Sequence, residues 1–195
     1  MAGIYAAINH KERMNTVSTA TFKDTDLSEV MERMPYGCYI VGSHDKEGEP
    51  NGMMADWVMQ VSFSPRMVAV ALENDAHTLA NIRQNRSFTV NMLPRDEAGR
   101  RLSAKFAQPF DGGKVLGRSN AGSESLHHKL DGIRFSPSAT GSPVLDDSAA
   151  WFECEAHQFV PASDHTIVTG RVVHGRLVGS SDVLTAEYAG WSYSG

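Results

Sequence analysis

The chain has 195 residues, 41% of them hydrophobic and 21% charged, with a formal net charge of -5; this suits one globular domain whose core needs no disulfides. The acidic balance argues against a nucleic-acid protein, which usually shows a basic face, and no apolar run nears the roughly 18 residues of a membrane span. The start, MAGIYAAINHKER, lacks the basic head and apolar core of a signal peptide, so a cytoplasmic protein is expected.

Residues 1–23 have no steady periodicity and read as an N-terminal arm, either disordered or wrapped on a partner subunit. Residues 24–195 read as one domain without internal repeats. Leu27, Val30, Met31 and Met34 fall at helical spacing over Asp26–Met34, with Asp26 and Glu29 placed as a capping box. Pro35-Tyr36-Gly37 ends that helix, Cys38–Val41 opens the first strand, and Asp45–Pro50 is a hairpin loop. Asn51–Leu93 reads as strand, bend, strand, short helix, strand. Within it, Arg66–Leu72 is short and apolar and suits a strand covered on both faces. Ala76–Asn85 carries Leu79 and Ile82 behind Asp75 and Thr78, either of which would cap a helix. Ser87–Leu93 returns to period two, with Phe88, Val90 and Met92 on one side.

A second amphipathic helix is expected over Asp96–Gln108, with Leu102 and Phe106 inward. Pro109–Leu130 is Gly- and Ser-rich and long for a compact domain, as functional covers and mobile insertions are. Ile133–Phe135 and Pro143–Leu145 are strand fragments. Ala150–Val160 alternates, setting Trp151, Phe152 and Cys154 against Glu153, Glu155 and His157. A turn at Pro161–Asp164 leads into a returning strand, His165–Val178, interrupted at Gly170 and Gly175. The tail residues Trp191 and Tyr193 are placed to pack on a neighbour.

Several of these pieces carry a resemblance. They are Asn51-Gly52-Met53, the Ala55-x-Trp57 pair, Gln60-Val61-Ser62-Phe63 followed by Pro65, the apolar strand, Thr78, and the Phe-x-Val-Asn strand at Phe88–Asn91. Outside that stretch stand Pro35-Tyr36-Gly37, Gly141–Leu145, and Ser163-Asp164-His165 followed by Gly170. Their order and spacing, over about residues 34–175, resemble the flavin reductase-like, FMN-binding split-barrel family, in its flavoredoxin and ferric reductase-like branch. The resemblance implies a mainly β fold: a split β-barrel of Greek-key topology with a few short flanking α-helices. It implies a homodimer with an FMN pocket near the subunit interface, FAD being the alternative flavin. It also implies an NAD(P)H-dependent flavin reductase, drawing on NADH or NADPH and passing electrons to free flavin, ferric iron, a monooxygenase or another redox protein. Alternatives are a flavoredoxin-like FMN electron carrier and a ligand-binding barrel without catalysis.

The residues implied as cofactor-binding are Met53, Met54, Ala55, Asp56, Trp57, Gln60, Val61, Ser62, Asn74, Ala76, His77, Thr78, Lys105 and Phe106, with His165 as the catalytic residue. Each has a plainer reading. Asn51-Gly52 is a tight-turn pair that also shapes a ligand loop. Met54 and Asp56 stand where many relatives carry Thr or Ser. A carboxylate beside a phosphate dianion is unfavourable, so Asp56 faces solvent, bonds ribityl hydroxyls, or marks a different ligand. Trp57 is a barrel-wall residue or lies beside the flavin ring, and Gln60 and Ser62 face solvent or bond the ring edge or phosphate. Asn74, Ala76, His77 and Thr78 cap a helix whose free N–H groups also make a phosphate seat, with Arg83 and Arg86 as nearby positive charge. Lys105 and Phe106 occupy a place where the resemblance suggests cofactor contact. Asp164-His165 is an ordinary hairpin corner, or places His165 near flavin and nicotinamide for positioning or charge stabilisation. Cys38 and Cys154 read as buried thiols. The eight histidines lack metal-site spacing, and no Rossmann, P-loop or G-x-S-x-G motif occurs.

Overall fold

The computed structural model describes residues 24–107, 128–179 and 182–191. The N-terminal arm, most of the Gly- and Ser-rich loop, and Tyr193 lie outside the described residues. Helix α1 (Asp24–Met31) belongs to one compact unit, and the described residues from Met34 onward belong to another. The helix is displaced toward the N-terminus from its expected span and ends ahead of Pro35, whose ring disfavours helical geometry at the residue before it. Leu27, Val30 and Met31 on α1 are exposed. The expected Asp26–Glu29 capping box lies outside the described side chains.

The second unit is built on β1 (Tyr39–His44), β2 (Pro50–Ala55), β3 (Val58–Phe63), β4 (Arg66–Glu73), β5 (Ser87–Met92), β8 (Ala150–Ala162) and β9 (His165–Leu177). These form one antiparallel sheet in the order β2-β1-β5-β8-β9-β4-β3. The two edge strands are therefore consecutive in the chain, and the two-residue link Asp56-Trp57 carries it from one edge to the other. Ala71 N–H donates to the Trp57 carbonyl across that gap at 3.0 Å. The sheet wraps round a core of Val41, Val68, Val70, Leu72, Phe88 and Val168, capped by Leu79 and Ile82 of α2 (His77–Asn85). This is the split barrel with short flanking helices. A second cluster, around Ile40, Leu93, Phe106, Leu145 and Leu184, joins α3 (Glu97–Phe106), β6 (Phe135–Pro137), β7 (Pro143–Leu145) and α4 (Ala186–Ala189) to the outer face of β1 and β5.

Four expectations change. Asn51-Gly52 does not turn: the hairpin bend is at Asp45–Glu49, where Asp45 Oδ1 accepts from Glu47 and Glu49 N–H at 2.9 and 2.8 Å, and Asn51 and Gly52 lie inside β2 opposite Ser43 and Gly42. Gly is needed there because a Cβ on Gly52 would stand 2.7 Å from the Phe106 ring. The N-cap position of α2 falls on Ala76, whose side chain makes no capping bond, rather than on Asp75 or Thr78. The tail contains a helix, α4, capped by Thr185 through Tyr188 N–H, and Trp191 packs on its own second cluster.

The fourth concerns Glu153. Alternation places it outward with Glu155, and it does stand opposite Thr89 on that face, but the segment around Thr140 covers it and leaves Glu153 only 1% exposed. Its Oε1 accepts from Thr140 N–H at 2.8 Å. Burial pushes this carboxyl up, yet the donors of Ser138, Ala139 and Thr140 outweigh it and hold the group below its ordinary value. The stabilisation is therefore present above the unfolded carboxyl value of about 4.3 and is lost as pH falls through the lower folded value. Glu153→Gln is expected to cost about 1–3 kcal/mol at pH 7, with the deficit closing below about pH 4 in urea unfolding measured across pH. A deficit independent of pH would show that charge has no part in it.

Candidate functional site: the barrel mouth at Trp57 and His165

The site grows from the link between the edge strands. Strand β2 stays paired with β1 as far as Ala55 opposite Tyr39, and β3 begins at Val58 opposite Val70. The chain crosses between them at Asp56 and Trp57, both half-buried. The Trp57 ring meets the His165 imidazole at 4.8 Å between centroids, tilted 41°, and Tyr36 lies 6.5 Å away on the same indole. His165 is the first residue of β9, opposite Glu73 of β4. Ser163 supplies the turn with a positive φ of 57°, and Asp164 Oδ1 lies 2.9 Å from His165 Nδ1.

Asn74 fixes this hairpin to the segment before α2. Its N–H donates to the Asp164 carbonyl at 2.9 Å and its Nδ2 to the Ser163 carbonyl at 2.8 Å. Its Oδ1 accepts from the Thr166 hydroxyl at 2.7 Å, and that hydroxyl accepts from Arg83 at 3.2 Å. Two residues later comes Ala76, the N-cap of α2, followed by exposed His77 in the helix's first turn. The N–H groups of a helix's first turn favour an anion.

Charge at the mouth is mixed. Burial raises the Asp56 carboxyl, opposed by the N–H groups of Asp56 and Trp57 and by nearby His165. Cys38, buried and close enough to feel Asp56, is pushed up to about 12, chiefly by burial. The exposed Asp164 is held below its ordinary value by its hydrogen bond to His165.

The structure brings Asp56, Trp57, Asn74, Ala76 and His165 together, with His77 adjoining. Other expected residues stand elsewhere. Thr78 is 2% exposed and its hydroxyl accepts from Asn51 Nδ2 at 2.8 Å. On β2, Met53 and Ala55 face the barrel core, while Gly52 and Met54 face the second cluster and Phe106. Phe106 is fully buried, and Lys105 Nζ donates to the Asp131 carbonyl. Gln60, Val61 and Ser62 lie along β3; Gln60 Nε2 donates to the Ser62 carbonyl at 3.1 Å. Gln60 also lines an open apolar cleft of about 340 Å³ with Tyr39, Met67, Met92, Phe152 and Val172. That cleft does not include Trp57 or His165, so the polar groups sit beside it rather than in it. Thr166 is a contributor that the sequence did not single out, because its partners Asn74 and Arg83 are distant in the chain; Tyr36 and Asn51 stood in the quoted motifs without being assigned as cofactor-binding.

Residues 31–192 match the model of the flavin reductase like domain. A flavin reductase (NADH) from Kitasatospora aureofaciens is 32% identical over 78% of this chain and 71% of its own length. Diflavin flavoprotein A 1 from Synechocystis sp. is 31% identical over 85% of this chain, which spans only 26% of that protein. Among solved structures, flavin reductase PheA2 in its native state superposes with a TM-score of 0.65 at 26% identity, covering 84% of this chain and 93% of that one. The chain belongs to the flavin reductase like domain family. No helix among the described residues is long and apolar enough to cross a membrane.

Proposed function

We propose that the protein is an NAD(P)H-dependent flavin reductase that binds FMN, or FAD, and passes electrons to free flavin or to a partner such as a monooxygenase. The observation that carries this reading is the Trp57–His165 contact at 4.8 Å: a flat aromatic face and an imidazole meet at the mouth of a barrel of this family. The donor set fits a flavin. Trp57 would offer ring surface, the first turn of α2 would offer N–H groups to a phosphate, and Asp56, a poor neighbour for phosphate, would stand nearer the ring. The bound flavin supplies the hydride acceptor. The protein's part is to hold the ring, order the nicotinamide over it, and set local charge through His165 and Asp56.

A homodimer in the cytoplasm is part of the reading. Edge strand β3 is exposed on both faces, with Met59 and Phe63 65% and 87% exposed. A monomer with such an edge is prone to pair with other chains, and a second subunit over β3 and the adjoining cleft would remove that liability. The two buried free thiols agree with a reducing compartment. A second reading, an FMN electron carrier that does not turn over nicotinamide, fits the likeness to a diflavin flavoprotein as well as a reductase does.

Mixing catalytic amounts of protein with FMN or FAD and NADH or NADPH, and following loss of the nicotinamide absorbance, tests the first reading against the second. Sustained oxidation supports the reductase; exchange with a reduced protein donor alone supports the carrier. Uptake of no flavin at all removes both. His165→Ala is expected to slow nicotinamide-driven reduction roughly tenfold to a hundredfold, the size of one lost charge-assisted contact. Flavin affinity should change much less in the same variant. A loss confined to affinity would make His165 a flavin-holding residue instead.

A further inference from the structure

The His165 imidazole meets the Trp57 indole at 4.8 Å, and each ring has a carboxylate as its immediate chain neighbour. Asp56 comes from the link between the barrel edges, and Asp164 and His165 from the β8–β9 hairpin. The two carboxylates are not equivalent. Asp164 is exposed, screened by water, and engaged with His165 Nδ1 at 2.9 Å. Asp56 is half-buried, directly precedes Trp57 in the chain, and lies close enough to the buried Cys38 thiol to act on it. Its compensation comes from two backbone N–H groups, its own and that of Trp57, and from His165. Glu73, opposite His165 on β4, and Arg83, which donates to the Thr166 hydroxyl at 3.2 Å, are further charged groups at the hairpin. A carboxylate less surrounded by water acts on its neighbours through a lower dielectric, so its field reaches further.

We propose that Asp56 is a potential-setting residue: its carboxylate, beside the Trp57–His165 pair, makes the mouth hold an oxidised, uncharged flavin ring in preference to the reduced, anionic one. The inference rests on the flavin-binding reading above. In the reduction, the C4–H bond of the dihydronicotinamide breaks and a flavin N5–H bond forms. Two electrons and one proton move together, and the flavin ring system gains one negative charge while the nicotinamide gains one positive charge. A fixed negative charge at the mouth disfavours the first change and favours the second. The consequence is a bound flavin that is harder to reduce and, once reduced, a stronger donor to whatever accepts its electrons. His165 opposes this field, and Asp56 limits how far it does so.

The test uses the purified full-length protein loaded with FMN, with the midpoint potential read by spectroelectrochemistry and the oxidised-flavin affinity by fluorescence titration. Neither readout depends on turnover. In Asp56→Asn, which keeps the shape and removes the charge, the reduced form is expected to gain at least about tenfold in affinity relative to the oxidised form. For a two-electron couple that ratio is about 30 mV upward in midpoint. Asp164→Asn, removing a solvent-screened carboxylate from the same imidazole, is expected to move the midpoint less. In the wild type the midpoint at acid pH should approach that of Asp56→Asn as Asp56 takes up a proton. Equal midpoints for wild type and Asp56→Asn overturn the proposal, as does a larger shift in Asp164→Asn. Should Asp56→Asn fold poorly, Asp56→Ser gives the same readout. A wild-type protein that takes up no FMN or FAD fails at the loading step and sinks the flavin reading itself, which is a separate result from flavin bound with an unmoved midpoint.

Discussion

Replacing Phe88 with alanine is expected to cost about 3–5 kcal/mol of stability, the range for emptying a buried aromatic site. Phe88 is fully buried on β5 at the centre of the barrel core. Its ring comes close to Gly170 of β9, where a Cβ would be 2.6 Å from Cζ and 2.9 Å from the Cβ of Cys154. The glycine exists to admit the ring. Gly170→Val should therefore destabilise by overpacking, by about 1–3 kcal/mol or more. Because the two residues share one space, the double variant Phe88→Ala/Gly170→Val should lose less than the sum of the singles. Urea unfolding of the three variants reads this out. Additive losses would mean that the two positions do not share a cavity.

Trp57→Ala is expected to weaken flavin binding at least about tenfold while leaving most of the stability in place. Trp57 is only half-buried, and its backbone role, accepting from Ala71 N–H, does not need the indole. Loss of a stacking face and of the ring area it covers corresponds to roughly 1.5–3 kcal/mol. Trp57→Phe should recover much of the affinity, since a smaller ring retains part of the face. Titration of FMN fluorescence in the three proteins measures it. Unchanged affinity in Trp57→Ala would move the flavin to another part of the barrel.

The strands of this fold were legible because their signals are local. Arg66–Leu72, Ala150–Val160 and the strand after His165 show apolar periodicity between clear turn residues, and each forms within a few positions of its expected span. What could not be read was the polar seam on the outer face of β5. Ser87, Thr89 and Asn91 alternate with Phe88 and Val90 as a solvated face would, yet all are buried. Two of them find partners in a segment some fifty positions later: Thr89 Oγ1 donates to the Pro143 carbonyl at 2.6 Å, and Asn91 Oδ1 accepts from Leu145 N–H at 2.9 Å. Alternation of apolar and polar residues cannot tell water from a covering loop, as Glu153 also shows. At the mouth, motif residues pointed to Trp57 and His165 separately. Their meeting depends on the crossing at Asp56-Trp57 and on a hairpin set by Asn74, neither of which any short-range pattern encodes. Thr78 shows the converse, since a hydroxyl in a motif position says nothing of whether Asn51 already occupies it.

Asn74 has a further implication. It spends its N–H, its amide NH₂ and its amide oxygen on Asp164, Ser163 and Thr166, while sitting in the stretch that leads directly into α2. The loop before the helix and the corner bearing His165 are thus riveted into a single lever. A load on the segment leading into α2 is passed to the corner that carries the imidazole through the bonds of a single asparagine.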